Sequence, residues 1–264
     1  MIKFASFSSG SNGNCYLLSN ENTAFLIDAG IGERTLKKRL AEIGLTLDNL
    51  AFILVTHDHI DHIKHLGSLA SRNKISVLAT PAVHESLRYH PCTAGMLKGL
   101  ICEIFPGEIH NRQGVEITPF NVPHDATETV GYHINFFGER FTIITDVGSV
   151  TDDIVKYSRM ATHLVIEANY DKQMLSDGEY PSYLKKRISG GNGHLSNDET
   201  AKALERICHP GLKNIFMCHL SEKNNDPGLA YKTVYDYLSR SGIEIGKHLN
   251  LDCLPRRSTF SIEI

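Results

Sequence analysis

The chain's chemistry concentrates in one segment, Thr56-His-Asp-His-Ile-Asp-His62. Imidazoles and carboxylates at this density make a ligand set for Zn²⁺, Mn²⁺ or Fe²⁺. His57 and His59 stand two apart, so in an extended backbone their side chains point the same way. Asp61 and His62 follow in a turn into a helix and can face a second ion. Just upstream, Ala51-Phe-Ile-Leu-Val55 reads as a buried strand. Ligands placed directly after such a strand are held by the sheet rather than by a loose loop.

Three further segments place a polar ligand type after a strand-like run. Val122-Pro-His124-Asp125 follows Val115–Phe120, Thr145-Asp146-Val-Gly148 follows Phe141–Ile144, and Cys218-His219 follows Asn214–Met217. Each alone reads as well as a cap or a surface group. Taken together with His57–His62, and in this order, they read as the remainder of one ligand set.

The elements that must position these groups come in short apolar bursts. Strands are predicted at Ile2–Phe7, Cys15–Ser19, Ala24–Ile27, Phe52–Val55, Ser76–Ala79, Val115–Phe120, Gly131–Phe136, Phe141–Ile144, His163–Ile166 and Asn214–Cys218. A hairpin is predicted across Phe136–Phe141. Helices are predicted at Glu33–Ile43, Ile60–Asn73, Pro81–Tyr89, Asp152–Ser158, Asp171–Leu175, Pro181–Ile188, Asn197–Cys208 and Gly228–Ser241. Strands in bursts, with helices between them and in two halves, suit two sheets in the middle with helices outside. A doubly wound nucleotide fold predicts regular β-α alternation and a Gly-rich phosphate loop, and no such loop of the dinucleotide or P-loop type is present.

Bulk properties set limits without deciding function. The chain has 264 residues, 41% hydrophobic and 22% charged, with net charge -3. That is an ordinary globular composition, and one domain over residues 1–264 is the simplest reading. Overall charge does not announce a nucleic-acid binder, though a local basic groove can sit on an acidic protein. Six cysteines are scattered without a CxxC pair, which suggests buried reduced thiols in a cytoplasmic protein. No signal peptide and no apolar run of about 20 residues is visible, so no membrane association is expected.

HxHxDH, a lone His, an Asp and a late His, in that order, resemble the metallo-β-lactamase superfamily over essentially the whole chain. The resemblance implies an α/β (α+β) fold, an αββα sandwich of two mixed sheets flanked by helices. It also implies two divalent metal ions, Zn²⁺ or Mn²⁺ with Fe²⁺ possible. His57, His59 and His124 would hold one ion, Asp61, His62 and His219 the other, with Asp146 bridging. Asp61 beside His62 is the pattern of the superfamily's phosphodiesterases, nucleases and glyoxalase-type thioesterases. Only 73 positions separate Asp146 from His219, which leaves no room for the inserted domain of the RNA-processing β-CASP nucleases.

Phe7-Ser-Ser-Gly-Ser-Asn-Gly-Asn-Cys15, His124–Gly131, Glu167-Ala-Asn-Tyr-Asp171 and Gly193-His-Leu-Ser-Asn197 are similar to the YycJ/WalJ group. That group implies a 5′-to-3′ exonuclease acting on duplex DNA. Tyr170 departs from the pattern, where many relatives carry His. The same metal pair also suits a small-molecule phosphodiesterase or a thioester hydrolase, and a non-catalytic metal-binding regulator is the third class.

Several residues are candidates beyond the ligands. Asp58, inside the motif but outside the ligand pattern, is expected to orient a ligand or a water. His194, on the loop after Gly190-Gly-Asn-Gly193, is expected to meet a phosphate or protonate a leaving oxygen. Ser8, Ser9, Ser11 and Asn12 form a donor-rich loop suited to phosphate, and an ordinary turn explains it equally well. Lys185, Lys186 and Arg187 are placed to attract a DNA backbone or to form a solvated helix face. Arg256, Arg257 and Lys37–Arg39 are similar but more weakly placed.

Overall fold

A computed structural model describes residues 1–264. Its backbone divides into two compact units, each built on one seven-stranded sheet. The first comprises Met1–Glu108, Ala126–Glu128 and Pro255–Ile264, the second Ile109–Asp125 and Thr129–Leu254.

The first unit holds strands β1 (Lys3–Ser8), β2 (Cys15–Ser19), β3 (Ala24–Ile27), β4 (Leu50–Leu54), β5 (Ser76–Ala79) and β6 (Ile101–Glu103). Its helices are α1 (Glu33–Glu42), α2 (Ile60–Ile63), α3 (Leu66–Asn73) and α4 (Pro81–Tyr89). The second unit holds β7 (His110–Arg112), β8 (Val115–Asn121), β9 (Val130–Phe136), β10 (Glu139–Ile144), β11 (His163–Glu167), β12 (Asn214–Cys218) and β13 (Asn250–Cys253). Its helices are α5 (Asp152–Ser158), α6 (Lys172–Asp177), α7 (Ser182–Ile188), α8 (Asn197–Ile207) and α9 (Pro227–Arg240). The last strand, β14 (Phe260–Glu263), returns to the first sheet beside β1.

Both sheets are mixed in the same way. In the first, β14, β1, β2 and β3 pair antiparallel, then β3 to β6 run parallel. In the second, β7 to β10 pair antiparallel and β10 to β13 run parallel. The two mixed sheets with their helices match the expectation from the order of elements. Parallel strands all end at one edge, where open α/β sheets present their ligands.

Alternation along each strand builds the cores. Phe7, Leu17, Leu26, Ile53 and Val77 share one face of the first sheet and pack with Leu36 and Leu40 of α1, Leu69 of α3 and Val83 of α4. In the second unit Ile144, Ile166, Ile215 and Met217 pack with Ile154 of α5, Leu204 of α8 and Val234 of α9. The hairpin between β9 and β10 turns on Phe137 and Gly138, both with positive φ (51° and 95°), in a two-residue connection that suits the strand twist.

Three sequence expectations need correcting. The helix predicted over Ile60–Asn73 is two helices, because His65 leaves helical geometry and donates its N–H to Ala29 O. β6, β7, β13 and β14 were not expected at all. Of the six cysteines only Cys15 and Cys218 are fully buried, the rest half-buried. No helix is long and apolar enough to cross a membrane.

Candidate metal-ligand clusters

In the first unit the parallel pairing of β3 with β4 sets Asp28 beside Thr56. Asp28 takes a left-handed backbone (φ 61°), a conformation costing about 1–3 kcal/mol that persists where the surroundings fix it. Its buried carboxylate accepts from Thr56 N (2.9 Å) and from Thr56 Oγ1 (2.9 Å). It also accepts from His62 Nδ1 at 2.7 Å. A histidine whose Nδ1–H is donated in this way presents Nε2 as its lone-pair nitrogen. Thr56 Oγ1 reaches Nδ1 of His57 as well, at 3.0 Å. His57 and His62 are fully buried with ring centroids 4.1 Å apart, and His59 lies 4.8 Å from His57.

The turn carrying Asp61 is fixed from two sides. Asn14 N donates to Asp61 O (2.7 Å), and Asn14 Nδ2 reaches Asp61 Oδ2 (3.1 Å) and His62 Nε2 (2.9 Å). Gly30 permits the approach: a Cβ there would stand 1.8 Å from Asp61 O. Asp58 turns elsewhere in the same unit and is held by Ser86 Oγ, Thr127 Oγ1 and Thr127 N. Burial works to raise its pKa, but these hydrogen bonds outweigh it and hold the carboxyl below its ordinary value.

In the second unit Asp146, Glu167 and His219 sit at the ends of adjacent parallel strands β10, β11 and β12. Asp146 and His219 are nearly fully buried, with His219 Nδ1 3.2 Å from Asp146 Oδ2. His219 is left-handed (φ 52°), and Asn169 Nδ2 donates to its carbonyl at 2.9 Å. Glu167 is wholly buried and accepts from five donors. These are His194 Nδ1 (2.7 Å), His219 Nδ1 (2.9 Å), Asn169 Nδ2 (3.3 Å), Val147 N (3.0 Å) and Leu195 N (3.1 Å). Burial alone would raise its pKa, but the histidine beside it holds the carboxylate ionised, below the usual value. His124 donates Nδ1–H to Gly193 O (2.8 Å), which turns Nε2 toward Asp146, 3.6 Å away.

The donor chemistry fits divalent metal. Ligand atoms of Asp146, Glu167, His194 and His219 lie within 4.8 Å of one another. Glu167 has both oxygens committed to hydrogen bonds and His194 has Nδ1 committed to Glu167. His219 Nδ1 is committed to Glu167 in the same way, so each of these histidines offers Nε2, and Glu167 is their orienting partner rather than a ligand, as carboxylates commonly are for ligating histidines. Sequence reasoning quoted Glu167, Asn14 and Asn169 only within family segments and did not name Asp28.

His194 lies at the end of the glycine loop expected from the sequence, and that loop is pinned. Gly193 N bonds Gly190 O and His194 N bonds Ile188 O, both at 2.8 Å. A Cβ on Gly193 would stand 2.2 Å from Arg187 O. Burial depresses the His194 pKa, but the Glu167 carboxylate outweighs it, and the net shift is upward.

The phosphate-loop candidates divide. Ser8 Oγ donates to Arg256 O (2.7 Å) and Ser9 Oγ pairs with Tyr16 OH (2.9 Å), whereas Ser11 and Asn12 are exposed. Among the α7 cations Lys185 bonds Ser176 O (2.6 Å), Arg187 bonds Asp125 (2.5 Å), and Lys186 is exposed.

Comparison with known proteins shows the family. Residues 23–216 match the model of the β-lactamase superfamily domain. The chain is 30% identical to exodeoxyribonuclease YycJ of Bacillus anthracis, covering 98% of this chain and 97% of that protein. It is 31% identical to exodeoxyribonuclease WalJ of Streptococcus pneumoniae, covering 100% and 98%. Its fold matches the metallo-β-lactamase fold protein YhfI of Bacillus subtilis, with TM-score 0.68 at 15% identity over 98% of both chains. The chain belongs to the metallo-β-lactamase-fold superfamily, in its YycJ/WalJ group, and is a metal-dependent hydrolase.

Proposed function

We propose that this protein is a two-metal phosphodiester hydrolase and, more narrowly, a DNA exonuclease running 5′-to-3′ on duplex substrates. The observation that carries this reading is the full-length similarity to two proteins named exodeoxyribonucleases, combined with a ligand set of the required chemistry. In this reading His57, His59 and His124 hold one ion. Asp61, His62 and His219 hold the other, and Asp146 is shared. Zn²⁺ and Mn²⁺ both accept such ligands.

A bound metal pair would lower the pKa of a water toward neutrality and offset charge on the phosphodiester. The chain's own residues do the rest. Asp28 and Glu167 would fix the imidazole tautomers, leaving Nε2 as the lone-pair nitrogen of His62 and His219. His194, charged beside Glu167, would contact a phosphate oxygen or give its proton to the leaving oxygen. Ser11 and Asn12 would face the strand, and Lys186 would add positive charge to its path. Asp58 would brace the motif from its first turn through Ser86 and Thr127. The whole chain would act as one catalytic domain in the cytoplasm.

Linear duplex DNA labelled separately at each end, incubated with the metal-loaded protein, tests this reading. Early loss of the 5′ label with retention of the 3′ label is expected. Turnover confined to a small phosphodiester or a thioester would overturn it.

A further inference from the structure

The first unit carries a second polar feature that the ligand residues do not use. A cavity of about 730 Å³ is lined by Arg34, Lys38, Arg39 and Glu42 of α1 and by Arg257 and Thr259 of the C-terminal segment. Arg34, Lys38 and Glu42 are spaced by four, so they form one face of α1, away from buried Leu36 and Leu40.

Charge is unbalanced there. Glu33 takes up the neighbouring Lys37 at 2.8 Å, but neither Arg34 nor Lys38 enters an ion pair. The sole carboxylate of the lining, Glu42, accepts from Thr259 Oγ1 at 2.6 Å. Arg34 and Lys38 therefore line the cavity beside a single carboxylate, and like charges held at i and i+4 repel unless an anion joins them. Arg39 donates to Arg257 O, which ties the C-terminal segment to α1. Burial lowers the pKa of Arg39, and the Glu42 carboxylate nearby opposes that shift.

The cavity connects to the ligand residues through the unit's own backbone. Arg256 O accepts from Ser8 Oγ at 2.7 Å, and Ser8 opens the loop that ends at Asn14. Asn14 in turn touches Asp61 and His62. A chain of hydrogen bonds and a short loop thus links the segment beside the basic cavity, past exposed Ser11 and Asn12, to two metal-ligand candidates.

We propose that this cavity holds backbone phosphates of the nucleic-acid strand away from the bond being cut, gripped by Arg34, Lys38 and Arg257. The site is a backbone clamp with no base-reading chemistry, as sequence-independent binding requires. This inference rests on the exonuclease reading above and adds a location for the substrate's distal part.

The test uses full-length metal-loaded protein and the double variant Arg34→Ala/Lys38→Ala, with duplex binding followed across a salt series. Arg39 is left in place because it holds Arg257. Wild-type melting temperature and bound metal in the variant guard against misfolding. Loss of two phosphate contacts should weaken duplex binding about ten-fold or more and lower the slope of log K against log salt by about 2. Unchanged affinity and slope, with wild-type protein degrading DNA normally, would overturn the clamp alone. Wild-type protein that fails to degrade DNA at all would overturn the exonuclease reading, and the clamp with it. Inorganic phosphate, and vesicles containing anionic lipid, serve as separate probes of the same variant. Loss of binding to either one with duplex binding intact would also overturn the clamp, in favour of a free-anion or membrane site.

Discussion

At the scale of single residues, the carboxylates behind the histidines determine what the site can do. Asp28 and Glu167 never need to touch a metal; each accepts an Nδ1–H and so decides which nitrogen of His62 or His219 is basic. Asp28→Asn keeps a residue tolerant of the left-handed backbone but removes the charge from His62. It should weaken metal affinity about 10–100-fold in a chelator-competition titration; affinity unchanged from wild type would show that His62 needs no carboxylate. His194→Gln should leave metal content unaltered and lower turnover of DNA by about 10²–10⁴-fold. Wild-type turnover in that variant would remove His194 from the chemistry. The candidate ligand histidines were legible because they cluster or follow apolar runs. Asp28 and Glu167 lie 34 and 52 positions from the histidines they serve, a separation no spacing rule detects. A signal did exist, since both end buried strands as His57 and Asp146 do.

Elements set the geometry that those residues need. The parallel strands β3 and β4, and β10 to β12, end in register, so side chains far apart in sequence become neighbours at the sheet edge. Gly30 sits where the chain after β3 passes under the Asp61 turn. Gly30→Ala, with a Cβ 1.8 Å from Asp61 O, must move that turn. It should cost about 1–3 kcal/mol in denaturant unfolding and reduce bound metal. Both quantities at wild-type values would mean that the turn yields without consequence. Central strands were read correctly because each is a run of buried apolar residues. The strands missed were short edge strands such as His110–Arg112 and Phe260–Glu263, half exposed and partly polar, without the continuous apolar run that marks the others. The break after Ile63 was invisible for a different reason: His65 leaves the helix to bond Ala29 O, a tertiary contact with no local sequence mark.

For the molecule as a whole, acid sensitivity follows from histidines buried in the neutral form. Burial, with Arg140 nearby, pushes His133 down to about 4 from 6.5. Between those values the unfolded chain binds a proton that the folded chain refuses, so stability falls as pH falls. The contribution is complete above about pH 6.5 and is lost toward pH 4. His84 and His163, also depressed mainly by burial, act in the same direction. Denaturant unfolding of His133→Gln should therefore show a shallower loss of stability than wild type across that window. Parallel curves for the two proteins would contradict it. Taking the difference between the two proteins cancels the acid dependence of metal binding itself. The proposed function joins the two halves of the candidate ligand set into one hydrolytic centre. That joining is tested most directly by measuring bound metal and DNA hydrolysis together in His59→Ala and Asp146→Ala, one from each half. Each substitution is expected to lower metal content and to abolish hydrolysis; full activity in either variant would contradict the two-metal centre.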